Sequence, residues 1–150
     1  MSENRAEKAK QLFFEGYNCT QAILCAFSDV TGYDMETSAR LGSSFGGGLA
    51  RLRQTCGAVS GAALVLGIVK GYDDPKDYEA KKQHYALVRE FAEKFQEKNG
   101  SINCGELLKM ASVNPQAGEQ PEQRSEEYYR KRPCPELIYD AALILDEMLS

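Results

Sequence analysis

At 150 residues, 43% of them hydrophobic, the chain has the length of one domain and enough apolar material for a single core. Its 18 Lys and Arg against 22 Asp and Glu leave a net charge of −4, so the basic footprint of a nucleic-acid binder is missing. With 27% charged residues, 8 Tyr and 6 Phe, the composition excludes both a disordered tail protein and an integral membrane protein, while five cysteines are too few for a disulfide scaffold and ample for a site.

Met1 to Gln11 is polar and lacks the apolar h-region of a secretory signal, so the expected compartment is the reducing cytoplasm. Cysteines there stay as thiols, which points to redox chemistry or metal binding more than to stapling. The uncharged run from Cys56 to Val69 falls short of the ~18–20 residues that cross a bilayer and reads as a buried helix.

Taken in order, Glu3 to Phe14 has apolar residues at helical spacing and ends before Gly16. A second helix starts after Asn18 as N-cap, with Cys19, Ala22, Ile23, Ala26 and Val30 on one face, and stops at Gly32. Met35 to Ser43 is a short third helix. Phe45 to Gln54 is a connector whose Gly46, Gly47 and Gly48 permit backbone angles and close approaches barred to other residues. It leads into the helix from Cys56 to Val69, whose small residues four apart admit a neighbouring helix, placing it at the middle of the bundle. Asp74-Pro75 then resets the chain into a long helix, about Lys76 to Lys98, with Tyr78, Tyr85, Val88, Phe91, Ala92 and Phe95 as its inward stripe. Asn103 and Glu106 form a capping-box pattern for a helix to Ala111. Residues 112–133 read as a long exposed loop with one helical turn near Glu126 to Arg130, in which Tyr128, Tyr129, Arg130, Lys131 and Arg132 are taken as solvated, the alternative being a lid or partner contact next to Cys134. A last helix runs from Pro135 to Leu149. No alternating strand pattern and no internal repeat occurs, so the expected fold is an all-α, single-domain bundle of about five to seven helices around a small-residue central helix.

Four of the five cysteines fall at helix starts: Cys19, Cys56, Cys104 and Cys134. Free N–H groups and the positive dipole end stabilise a thiolate there by about 0.3–1 kcal/mol when exposed and up to ~2 when partly buried. That moves a thiol from about 8.5 toward neutrality, and the same donors suit a sulfur bound to iron or zinc. The intervals of 37, 48 and 30 residues contain no Cys-x-x-Cys pair and no haem attachment motif, so the fold must assemble any site. Cys25 sits mid-helix, about 9 Å along the axis from Cys19, beyond the ~7 Å reach of a disulfide, and reads as an ordinary helix residue. Among the four, Cys56 is the expected attacking thiolate, with Gly46, Gly47, Gly48 and Gly57 bringing backbone, and Arg51 or Arg53 positive potential, close to it; the alternative is a tight turn with two solvated arginines. His84, the only histidine, reads as structural.

Gly16-Tyr17-Asn18-Cys19-Thr20-Gln21-Ala22, Phe45-Gly46-Gly47-Gly48, Thr55-Cys56-Gly57-Ala58-Val59-Ser60-Gly61, Cys104-Gly105-Glu106-Leu107-Leu108 and Cys134 together resemble the C_GCAxxG_C_C family, named for its cysteine pattern and taken to be redox-active. The string at Cys56 reads Cys-Gly-Ala-x-x-Gly and departs from the Gly-Cys-Ala of the family name. The resemblance implies a helical domain with four characteristic cysteines, carried over to Cys19, Cys56, Cys104 and Cys134. The chain is also similar to split-Soret cytochromes, which pair an iron-sulfur centre with haem, but it lacks the haem motif. Two chemistries stay open: thiol-disulfide exchange with a redox partner protein or a small-molecule oxidant or disulfide, and an iron-sulfur cluster or zinc held by the four cysteines without covalent haem. The competing class is a non-catalytic helical interaction domain with structural cysteines, homodimerising through the Gly57/Gly61 or C-terminal helix faces.

Overall fold

The computed structural model describes residues 4–150. Among them are nine helices and no strand: α1 (Arg5–Phe14), α2 (Cys19–Ala26), α3 (Ser28–Thr31), α4 (Met35–Gly42), α5 (Gly57–Lys70), α6 (Tyr78–Asn99), α7 (Cys104–Met110), α8 (Glu126–Lys131) and α9 (Cys134–Leu149). The all-α class matches the pattern in the sequence, with a helix count above the expected five to seven. The expected helix from Asn18 to Gly32 is two, broken at Phe27, which no Gly or Pro announces; its side chain is fully buried. Residues 126–131 close a full short helix. Glu3, the expected first residue of α1, lies outside the described residues.

The helix starts follow from their caps. Asn4, Asn18, Asp34, Asp77, Asn103 and Ser125 each accept a first-turn N–H with the side chain, satisfying donors that have no partner within the helix. At α2 the box is complete: Asn18 Oδ1 accepts from Gln21 N at 2.8 Å and Gln21 Oε1 accepts from Asn18 N at 3.0 Å. At α7 it is not, because the Glu106 carboxylate accepts from the Ser101 hydroxyl, and that hydroxyl oxygen accepts the Asn103 N–H at 2.9 Å.

The centre of the bundle is α2 packed on α5, with α1, α4 and α9 around α2, and α6 and α9 against α5. The contact is close because α5 is glycine-lined on this side: a Cβ on Gly61 would lie 2.9 Å from Ile23 Cβ, and one on Gly57 would lie 2.9 Å from Cys19 Cβ. The glycine face is thus taken up by α2 of the same chain. Ile23, Leu24 and Phe27 share one buried core with Ala58, Ala62, Val65 and Leu66 and with Phe91, Phe95, Ile138 and Leu145. Tyr78 and Tyr85 depart from the expected inward stripe, being 74% and 54% exposed. The 22 residues of α6 span about 33 Å and the 14 of α5 about 21 Å, so the first turns of α6 overhang the core. Among the described residues no helix is long and apolar enough to cross a membrane.

Candidate thiol site

Cys19, Cys104 and Cys134 are the first residues of α2, α7 and α9, and Cys56 occupies the N-cap position of α5. Two devices bring these starts together. Residues 54–56 lie antiparallel to 102–104: Cys56 N donates to Ile102 O at 2.7 Å and Cys104 N to Gln54 O at 2.6 Å, flanking a Thr55–Asn103 bridge. Separately, the buried Thr20 Oγ1 donates to Gly57 O at 2.8 Å, fastening the first turn of α2 to that of α5.

The glycine connector supplies the close approaches. Gly47 and Gly48 have φ of +69° and +73°, and Leu49, Ala50 and Arg51 continue at positive φ, a left-handed turn that L-residues rarely sustain. A Cβ on Gly48 would meet Cys104 Cβ at 2.8 Å and Gln54 N at 2.6 Å, and one on Gly46 would meet Asn18 Cβ at 2.8 Å. The connector therefore presses on the starts of α7 and α2, while Cys56 is approached by Ile102.

All four of these cysteines line one cavity of about 50 Å³, which Gly47, Gly57, Arg53, Arg124, Tyr128 and Arg132 also border. No disulfide joins any of the cysteines. Among the described residues, no group of three or more His, Cys, Asp or Glu side chains is arranged to hold a metal ion. Cys25 is fully buried in α2, its Sγ 3.7 Å from Met35 O, and His84 packs its ring against Tyr72; neither lines the cavity.

A profile of the family described as "Putative redox-active protein (C_GCAxxG_C_C)" matches residues 17–148. The chain belongs to this family. No curated protein and no solved structure matched the chain.

In this C_GCAxxG_C_C protein the sulfurs are not equivalent. The Cys19 thiol hydrogen-bonds to the Cys134 sulfur and, with the guanidiniums of Arg132, Arg124 and Arg53, holds Cys134 below the ordinary thiol range despite its burial. Cys19, the proton donor of the pair, is pushed well above that range by the same bond, by burial and by the neighbouring sulfurs. Burial lifts Cys104 too, opposed by Arg53, whose Nη1 lies 3.7 Å from its Sγ. Cys56 reverses the expectation drawn from its helix start. Only 4% exposed, it is pushed up to about 12 by burial, and the N–H groups of Ala58 and Val59 do not offset that loss of solvation. The favoured thiolate is Cys134.

Of the cationic wall, sequence reasoning placed Arg53 near the site, missed Arg124 and read Arg132 as solvated. Arg124 donates to Phe13 O at 3.1 Å and Tyr17 O at 3.2 Å and lies over the rings of Phe13 and Tyr128. Arg132, only 8% exposed, stacks on Tyr128 and pairs with Glu122. Tyr128 and Tyr129, expected in solvent, are half-buried against Phe13, and burial pushes the Tyr128 hydroxyl up to about 12. The available signal was two aromatics interleaved with arginines immediately before Cys134.

Proposed function

We propose that the protein is a thiol-disulfide redox protein in which Cys134 and Cys19 cycle between dithiol and disulfide. The Cys134 thiolate attacks a sulfur of the oxidant disulfide, that S–S bond breaks, and a mixed disulfide forms on Cys134. Cys19 gives its proton to the departing thiolate and its sulfur then attacks Cys134, closing the Cys19–Cys134 disulfide and releasing the second leaving group as a thiolate, which takes its proton from water. Two protein thiols are oxidised and one external disulfide is reduced; a dithiol reductant reverses the sequence. Cys56 and Cys104 line the same cavity as neutral thiols.

The observation that carries this reading is the convergence of the four helix-start cysteines on one cavity that Arg53, Arg124 and Arg132 also border, with those arginines favouring the thiolate of Cys134 beside Cys19. The test is anaerobic purification followed by elemental analysis, a visible spectrum and thiol counting before and after mild oxidation. A colourless, metal-free protein that reversibly loses two thiols is expected. Stoichiometric iron or zinc, or five thiols indifferent to oxidant, overturns the proposal.

A further inference from the structure

A second and larger cavity, about 310 Å³, opens beside the sulfurs. It shares Asn18, Gly47, Arg53, Arg124, Tyr128 and Arg132 with the cysteine cavity, so whatever fills it lies against the thiol site. Four arginines border it, Arg51, Arg53, Arg124 and Arg132, against two carboxylates, Glu119 and Glu122. Glu122 is shared among three of them: Arg132, Arg51 at 3.4 Å and Arg53 at 3.9 Å. Arg124 contacts carbonyl oxygens, and among the described residues it has no carboxylate partner. Four arginines against two carboxylates leave two positive charges over in a recess bordered by the ring of Tyr128, where a guanidinium binds a carboxylate more strongly than at an open surface. The strained connector adds a reason for the arrangement. Its left-handed turn carries Arg51, and Arg53 also stands at a φ of +60°, so backbone strain is retained where it sets two arginines on the border of this recess, their guanidiniums bonded to carbonyls of residues 116–120.

From this cavity we infer the substrate class of the thiol site: a low-molecular-weight disulfide bearing carboxylates, its anionic end held by the arginines and its sulfurs directed at the cysteines. The inference rests on the thiol-disulfide reading above. The volume is at the lower end for small-molecule pockets, which range over about 300–1,000 Å³, and suits a compact molecule better than a folded partner's surface. The covalent step is the exchange already written: the anionic disulfide is the oxidant, it leaves as two thiols, and the protein retains the disulfide.

The test compares two probes with the reduced protein, dithiodiglycolate, which carries two carboxylates, and hydroxyethyl disulfide, which carries none. Rates are divided by those of a cysteine peptide in the same buffer, and the ratio between probes cancels any change in the thiolate itself. A charge-assisted contact predicts a preference of about tenfold or more for dithiodiglycolate, fading with salt. Arg124→Gln should abolish the preference and Glu122→Gln should increase it. Equal corrected rates in the wild-type protein overturn the anionic subsite and leave the dithiol reading intact. If neither probe oxidises the protein, the dithiol reading fails and the subsite is judged with adipate, the carbon isostere of dithiodiglycolate. Saturable adipate binding lost in Arg124→Gln then upholds the anion site, and no binding overturns it.

Discussion

Thr20 Oγ1 donates to the carbonyl of Gly57 at 2.8 Å, and this buried bond sets the first turn of α2 against that of α5. Cys19 precedes Thr20 and Cys56 precedes Gly57, so the same contact fixes the relative positions of two sulfurs. Thr20→Val keeps the shape and removes the donor, leaving the Gly57 carbonyl with only its bond inside α5. The expected cost is about 0.5–1.5 kcal/mol in a urea titration. Because the site depends on this docking, the variant should also form the Cys19–Cys134 disulfide more slowly; an unchanged rate would show that α2 is located by its apolar contacts alone.

Gly48 is held at φ +73° with Cys104 Cβ and Gln54 N where its own Cβ would stand. Gly48→Ala should therefore lower the thermal midpoint, combining about 1–2 kcal/mol of left-handed strain with a backbone clash that displaces α7. Gly67→Ala is the control, since an added Cβ there meets nothing within 4 Å. It should be neutral or slightly stabilising.

The pH dependence of stability has two limbs. Cys19, Cys56, Cys104 and Tyr128 are all raised in the folded protein. The folded state then keeps protons that the unfolded chain releases, so stability falls as pH climbs above about 8.5, where free thiols ionise. Cys134 is lowered and works in the opposite sense over its own narrower interval. Cys56→Ala should make the alkaline fall shallower up to about pH 12. On the acid side Glu122, lowered first by Arg132, loses its contribution as pH falls below about 4.3, and Glu122→Gln should flatten that limb. Urea midpoints across the pH range measure both.

The sequence made the helix starts readable because capping is local: Asn18 and Asn103 mark α2 and α7 whatever surrounds them. For the same reason the placement of four cysteines at or beside helix starts was visible, and Cys25 could be set apart. Burial is not local. The dipole argument at Cys56 was sound for an exposed sulfur, yet Ile102 and the α2 contact remove the solvent a thiolate needs. Arg124 and Arg132 looked like charges in a proline-rich loop, and only the packing of Phe13 against Tyr128 and Tyr129 makes them a wall of the site. Tyr78 and Tyr85 show the converse: their helical spacing was right, but the core they would have faced ends short of them.

The central claim is the pairing of Cys19 with Cys134. The most direct measurement is disulfide mapping by mass spectrometry after the reduced protein meets a limiting amount of a small disulfide and the remaining thiols are trapped with a maleimide. The account predicts one bridge, Cys19 to Cys134, with Cys25, Cys56 and Cys104 trapped as thiols. A bridge between any other cysteines, or five trapped thiols, would contradict it.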